Sequence, residues 1–315
     1  MTSPRALPSP QISVVIPVYN EIDSLDELQA ELVAALDPVG QPYEILYVDD
    51  GSTDGSPARL AALAAADPRV RVIPFLRNRG KSAVYSAAFA AVRGDVVLTL
   101  DADLQDDPKE IPRFLARIAA GEDLVVGWKQ HRLENEPLKT IPSRVFNGLG
   151  GWMFGMRLHD QNCGYRAMKR AVARQLLLYG DVYRFIPQLA FVQGFRVGEL
   201  DVQHRRRRHG SSKYGPRRFW TGLLDLLTVR FITRYAERPL HFFGTVGLAP
   251  ITLGVLLEGY VIVQKVLGST FQTHVAAILA GVMLLVVGFQ CLITGLIGEM
   301  LTAQAHRRSV EGRES

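Results

Sequence analysis

The chain has 315 residues, 48% of them apolar, which is enough for two domain-sized units. Thirty-six Lys and Arg against 31 Asp and Glu leave a net charge of +5, suited to an anionic membrane, a phosphorylated ligand or nucleic acid. The composition excludes disorder, collagen and coiled coil. Two cysteines, Cys163 and Cys291, leave no disulfide framework and no four-ligand zinc site.

Residues 1–11, MTSPRALPSPQ, lack the apolar segment of a signal peptide, so an uncleaved, cytosolic N-terminus is expected. From there strand and helix patterns alternate. Short β-branched runs at 12–18, 44–48, 70–75 and 95–100 predict strands, and alanine-rich segments at 24–36, 54–66 and 81–92 carry apolar residues at helical spacing. Such alternation predicts right-handed βαβ crossovers and an α/β domain with a mainly parallel sheet. In sheets of that kind ligands bind beyond the carboxyl ends of the strands. The residues there are Pro17, Tyr19, Asn20 and Glu21 after the first strand, Asp49 to Asp54 after the second, and Asp101-Ala102-Asp103-Leu104-Gln105 after the fourth.

The first turn lacks G-x-G-x-x-G, Gly148, Gly150, Gly151 and Gly155 do not fit that spacing, and neither a P-loop nor G-x-S-x-G occurs. Dinucleotide, P-loop and serine-hydrolase chemistry therefore drop out. Asp101 and Asp103 point the same way if the strand persists, with Gln105 able to add a neutral oxygen. Hard oxygen ligands favour Mg²⁺ or Mn²⁺. The competing reading of Asp-x-Asp is a cap on the helix that starts near Pro108. Asp160 either contacts a ligand or fixes its own loop. Cys163 is expected to be a small packed residue.

Residues 205–208 are four consecutive arginines. They read as a solvated loop or as attraction to anionic lipid, worth about 1 kcal/mol per basic residue; no nucleic-acid recognition motif accompanies them. Residues 216–237 mix Arg217, Arg218, Arg230 and Arg234 with Phe219, Trp220, Leu223, Leu224, Leu226 and Leu227, a pattern suited to an interfacial helix or to a surface helix of the preceding domain. Residues 242–263 hold one charge, Glu258, and 275–298 none. Each run is long enough to span about 30 Å of hydrocarbon. Arginines flank the pair, and only Lys265 is basic between them, so both ends are expected in the cytosol. Glu258, near the outer end, is expected to be partly hydrated. The boundaries read from sequence are a catalytic domain over 1–215, an interfacial linker over 216–238 and a two-helix membrane domain over 239–315.

The motifs VVIPVYNE, VDDGSTDGS, DADLQDDP, PSRVFN, NCGYRAM and RHGSSKYG, in that order and followed by two spans, resemble the family 2 glycosyltransferases of GT-A fold. Within them the likeness is to the polyprenyl-phosphate sugar transferases, which include dolichyl-phosphate mannose synthases and bacterial undecaprenyl-phosphate sugar transferases. The resemblance implies that Pro17, Tyr19, Glu21, Val48 and Asp50 contact the donor's base and ribose. It implies that Asp101, Ala102 and Asp103 lie on the nucleotide diphosphate, with Asp101, Asp103 and Gln105 as metal ligands and Asp103 catalytic. Lys129 stands where many relatives carry a phosphate-binding arginine. Arg144 would meet the acceptor phosphate, and Arg207 and Lys213 would close over the site. Asp160 would touch the donor sugar or hold its loop.

The expectation is an inverting, metal-dependent transfer of one sugar, UDP-glucose favoured, to polyprenyl phosphate at the cytosolic face of the inner membrane, for cell-envelope glycosylation. Membrane lipids and further copies of the chain are the expected partners, and nucleic acid is not. The alternatives are a GDP-mannose donor, a processive polysaccharide synthase and a catalytically silent scaffold. A synthase would carry Q-x-x-R-W, and Arg217-Arg218-Phe219-Trp220 lacks the glutamine and the spacing; a silent scaffold need not keep both Asp101 and Asp103.

Overall fold

The computed structural model describes residues 9–129, 148, 151, 153–156, 158–203, 205, 217–235 and 238–314. They form two compact units, Met1–Val229 and Arg230–Ser315.

The first unit is built on a seven-stranded sheet ordered β3-β2-β1-β4-β6-β5-β7. The strands are β1 (Ile12–Val18), β2 (Tyr43–Asp49), β3 (Val70–Pro74), β4 (Val96–Thr99), β5 (Leu124–Trp128), β6 (Arg166–Lys169) and β7 (Val197–Asp201). Every residue of β1 and β2 is buried, which is why their apolar residues follow one another rather than alternate with polar ones. The helices cover the sheet with apolar stripes. In α1 (Leu25–Leu36) the residues Leu25, Leu28, Leu32 and Leu36 are buried, and in α3 (Lys81–Ala91) Val84, Tyr85, Ala88 and Phe89 are. Each fully buried Leu, Val or Phe among them stabilises the fold by about 1.5–3 kcal/mol. The remaining helices of this unit are α2 (Ser56–Ala66), α4 (Ile111–Ala119), α5 (Arg170–Gln175), α6 (Ile186–Val192) and the first part of α7 (Arg217–Tyr235).

Strands β1, β2, β3 and β4 are parallel, as are β5 and β7. β6 runs against both of its neighbours, so the sheet is mixed. The chain moves outward from β1 through β2 to β3, then returns to place β4 on β1's other side. This reversal splays the connections at the carboxyl ends of β1 and β4 and opens a crevice there.

The second unit contains α8 (Pro239–Val266) and α9 (Val275–Glu314). Segments Pro239–Val266 and Phe271–Gln304 have mean hydropathies of 1.9 and 2.5 and are largely uncovered by protein, which suits helices facing lipid rather than a soluble core. Small residues let them approach closely. Gly247 and Gly254 on α8 face Gly288 and Gly281 on α9, so near that a Cβ on Gly254 would lie 2.9 Å from the Gly281 carbonyl. Gly281, Gly288 and Gly295 repeat every seven residues, keeping one seam along α9. The Glu258 carboxylate packs on Gly281, and its Oε1 is buried without a hydrogen-bond partner among the described residues.

Candidate active site at the carboxyl edge of the sheet

Three turns meet at the crevice, and the first two are laced together. Asn20 sits at φ +56°, a conformation asparagine tolerates better than most residues. From it the side-chain Oδ1 accepts the Thr53 amide at 2.7 Å, while its own amide donates to Ser52 Oγ at 3.0 Å. The Glu21 amide donates to Ser56 Oγ at 3.1 Å and the Ile22 amide to Asp54 at 3.2 Å. Burial opposes the Asp54 charge, yet hydrogen bonds from Ser56 and Ile22 hold the carboxyl below its usual range. Pro17 and Val48 are register partners inside the sheet, and Tyr19 stands half-exposed above them.

Asp50 is buried, and its two oxygens accept the amides of Arg79 and Gly80 at 2.7 and 3.0 Å. Its carboxylate thus fixes the loop that leads into α3. Gly51, at φ +70°, packs so tightly on the Arg77 backbone that no side chain would fit.

The acidic turn after β4 is the third. Leu104 adopts φ +59° and is buried, a conformation costing about 1–2 kcal/mol for a residue with a Cβ. Asp103 Oδ1 accepts the Gln105 amide at 3.2 Å, and Ala102 is buried between the two aspartates. Asp101 faces Lys81, whose Nζ lies 2.7 Å from Oδ1. A Cβ on Gly164 would lie 3.2 Å from both Asp101 oxygens, so glycine in the NCGYRAM segment makes room for that carboxylate. Burial raises the Asp101 proton affinity, but the charges of Lys81, Lys129 and Arg166 outweigh it and keep the group ionised well below the ordinary range.

Lys129 Nζ pairs with Asp106 Oδ1 at 2.7 Å, the two side chains being only 8% and 1% exposed. Burial alone would discharge this lysine; the Asp106 carboxylate raises it above its ordinary value instead. Arg166 is 1% exposed and donates to the Tyr183 carbonyl at 3.2 Å. Cys163 is buried, which pushes its thiol up to about 12, in keeping with a packing role. Glu199 on β7 accepts the amides of His159 and Asp160 at 2.7 and 3.2 Å and the His159 ring at 2.9 Å. His159 in turn stacks on Trp128. The Asp160 loop is therefore held from outside.

Arg205, first of the four arginines, is committed inward. Its guanidinium meets both Glu31 oxygens at 2.7 Å and Asp107 at 2.7 Å, and its amide donates to the Gln105 carbonyl at 3.0 Å. The segment after β7 is thereby pinned to α1 and to the acidic turn. This arginine has little left for lipid. Arg144, Arg207 and Lys213 lie outside the described residues. The sequence gives no role to Lys81, Asp106 or Arg166, and reads Arg205 only as part of a solvated or lipid-attracting basic run; Asp106 and Arg166 lie inside recognisable motifs, and Lys81 carries no local signal.

Among the described residues no three His, Cys, Asp or Glu side chains converge as a metal cage. Divalent ions that bind nucleotides rarely need one, since they use one or two carboxylates and complete their shell with phosphates and water. The acidic turn fits such an ion, and the Lys81 ammonium at Asp101 shows that a positive charge is stable there. A second concavity, of about 660 Å³ near Tyr43, Arg69, Arg71, Arg93 and Arg170, has its arginines already paired with Asp37, Asp67, Glu44 and Asp95.

Comparison with known proteins identifies the family and the fold. Residues 13–177 match the family described as Glycosyl transferase family 2. The dodecaprenyl-phosphate galacturonate synthase of Rhizobium johnstonii is 36% identical over 304 residues, 94% of this chain and 89% of that protein. The undecaprenyl-phosphate 4-deoxy-4-formamido-L-arabinose transferase of Edwardsiella ictaluri is 38% identical over 293 residues, 92% and 88% of the two chains. Among solved structures, glucosyl-3-phosphoglycerate synthase from Mycobacterium tuberculosis, in complex with Mn²⁺, UDP and phosphoglyceric acid, shares the fold. Its TM-score is 0.57 at 19% identity, covering 70% of this chain and 78% of that one.

Proposed function

The chain belongs to glycosyl transferase family 2 and is a glycosyltransferase, and we propose that it moves one sugar from a UDP-linked donor to a polyprenyl phosphate at the cytosolic membrane face. The observation that carries this reading is the acidic turn at the carboxyl end of β4, set in the crevice beside the β1 and β2 turns, on a chain with two long apolar helices. Relatives that match nearly the whole chain are named for polyprenyl-phosphate acceptors. Their sugars, galacturonate and a formamido-arabinose, stand beside glucose as candidates for the donor.

In this reading Pro17, Tyr19, Glu21, Val48 and Asp50 form the base and ribose side of the donor pocket, and Asp101, Ala102 and Asp103 line the diphosphate. Asp101, Asp103 and Gln105 would hold Mg²⁺ or Mn²⁺, which supplies charge stabilisation for the departing nucleoside diphosphate. Lys129 acts through Asp106, stiffening the turn from below. The acceptor is a phosphate monoester with a second pKa near 6, so it is largely dianionic at neutral pH and attacks without a general base. Arg144, Arg207 and Lys213 draw this anion toward an anionic donor, the arginines through bidentate contacts. Attack opposite the departing diphosphate inverts the anomeric carbon.

The test is to incubate purified protein with radiolabelled UDP-sugars and undecaprenyl phosphate. One UDP-sugar is expected to give a mild-acid-labile glycolipid with one sugar per lipid. Labelling from GDP-mannose alone would replace the donor assignment, and labelling only of long glycans would replace the acceptor.

A further inference from the structure

Lys81 has no part in the scheme above, yet it holds the carboxylate at the centre of the site. It is the first residue of α3, and its backbone is fixed one residue earlier by the Gly80 amide bonded to Asp50. From that anchored start its Nζ reaches Asp101 Oδ1 at 2.7 Å, with the two side chains 41% and 29% exposed. Gly164 packs against both Asp101 oxygens alike, a Cβ there lying 3.2 Å from each, so Lys81 and an incoming ion meet at the same small carboxylate. The neighbouring carboxylates Asp106 and Asp107 are paired with Lys129 and Arg205. A divalent ion arriving at Asp101 must therefore share one carboxylate with an ammonium, and two cations at that spacing repel. It gains full access only when another anion takes over the lysine. The nucleotide carries such an anion, its diphosphate, alongside the ion.

We propose that Lys81 is the resident counter-ion of the acidic turn. It keeps a free divalent ion out and admits the ion only together with a nucleoside diphosphate, to whose phosphate oxygens the ammonium then transfers. Lys81 is thus a loading residue that sets the order of binding. The proposal rests on the donor reading above.

Electron paramagnetic resonance counts free Mn²⁺ directly and can be applied to the full-length protein in detergent, with Mn²⁺ alone and with Mn²⁺ plus UDP. Wild type is expected to bind Mn²⁺ weakly alone and at least about tenfold more tightly with UDP. Lys81→Met is expected to tighten binding of Mn²⁺ alone by about tenfold, by removing a competing charge, and to weaken retention of the UDP complex. Lys81→Arg, which keeps the charge, should follow wild type for Mn²⁺ alone. Unchanged or weaker binding of free Mn²⁺ by Lys81→Met, with wild type still responding to UDP, would overturn the lysine's role and leave the donor reading intact. A wild-type protein that took up neither Mn²⁺ nor UDP would overturn both.

Discussion

Replacing Arg205 with alanine separates a structural role of the basic run from a lipid-docking one. The substitution removes a guanidinium held by Glu31 and Asp107, with side-chain exposures of 25%, 27% and 14% respectively. These are charge-assisted bonds shielded from most solvent, and after allowance for screening each contributes about 1 kcal/mol. Together they amount to about 2 kcal/mol, comparable to the 1–2 kcal/mol that Leu104 costs in its left-handed conformation. The clamp and the strain are thus of similar size. Without the clamp the Asp103–Asp107 segment is free to relax, and the nucleotide should lose about tenfold in affinity, or about 1.4 kcal/mol. Titration calorimetry with UDP and Mn²⁺ on protein in nanodiscs provides the assay, in neutral and in anionic lipid. The loss should be the same in both lipids, and Arg205→Lys, which can keep one carboxylate but not both, should recover part of it. Unchanged nucleotide affinity, or a loss confined to anionic nanodiscs, would refute the clamp and return Arg205 to the membrane surface.

Two further tests probe the framework. Gly254→Leu drives a side chain into the Gly281 backbone and Leu285, an overpacking worth about 1–3 kcal/mol, and should lower the melting temperature in detergent; Gly259→Leu, where nothing lies within 4 Å, is the control and should not. Asp123 joins three strands by accepting from Lys169 on β6 and from the Arg196 amide beside β7, and these bonds hold its carboxyl at about 2. Because its folded pKa lies below the unfolded value near 3.9, the stabilisation is complete above that value and is lost as pH falls toward 2. With Lys169 and Arg196 39% and 68% exposed, about 1 kcal/mol survives screening. Asp123→Asn should therefore melt lower than wild type at pH 7 and converge with it only as pH falls to about 2; a gap independent of pH would contradict the assignment.

The first half of the fold was legible because its signals are local. Continuous β-branched runs mark strands buried on both faces, and the observed β1, β2, β3 and β4 fall within a residue of where those runs predict them. The same holds for α3, and α1 and α2 begin one or two residues later than expected. The two long apolar helices were equally plain from the absence of charge. β6 was not legible: Arg-Ala-Met-Lys has no apolar alternation, and it is a strand because β4 and β5 flank it. In the site, the motifs located the turns but not the partners of their side chains. Lys81 meets Asp101 across 20 residues and Arg205 meets Glu31 across 174, and nothing local to either cation announces its carboxylate. Four arginines in a row look alike as sequence, and nothing in the run tells that the first is drawn inward. Asp106 was hidden for the opposite reason, since it stands in a motif crowded with aspartates and only its burial with Lys129 tells it from Asp101 and Asp103.

In the proposed reaction the acidic turn after β4 carries the donor's diphosphate for transfer to a lipid phosphate. This role is tested most directly by the rate of radiolabel transfer from the preferred UDP-sugar to undecaprenyl phosphate, comparing wild type with Asp103→Asn, which keeps the shape of the side chain and removes its charge. A fall of roughly 10²–10³-fold, with an unchanged melting temperature, is expected from the loss of one charge-stabilising group at the reacting centre; transfer within a few-fold of wild type would contradict it.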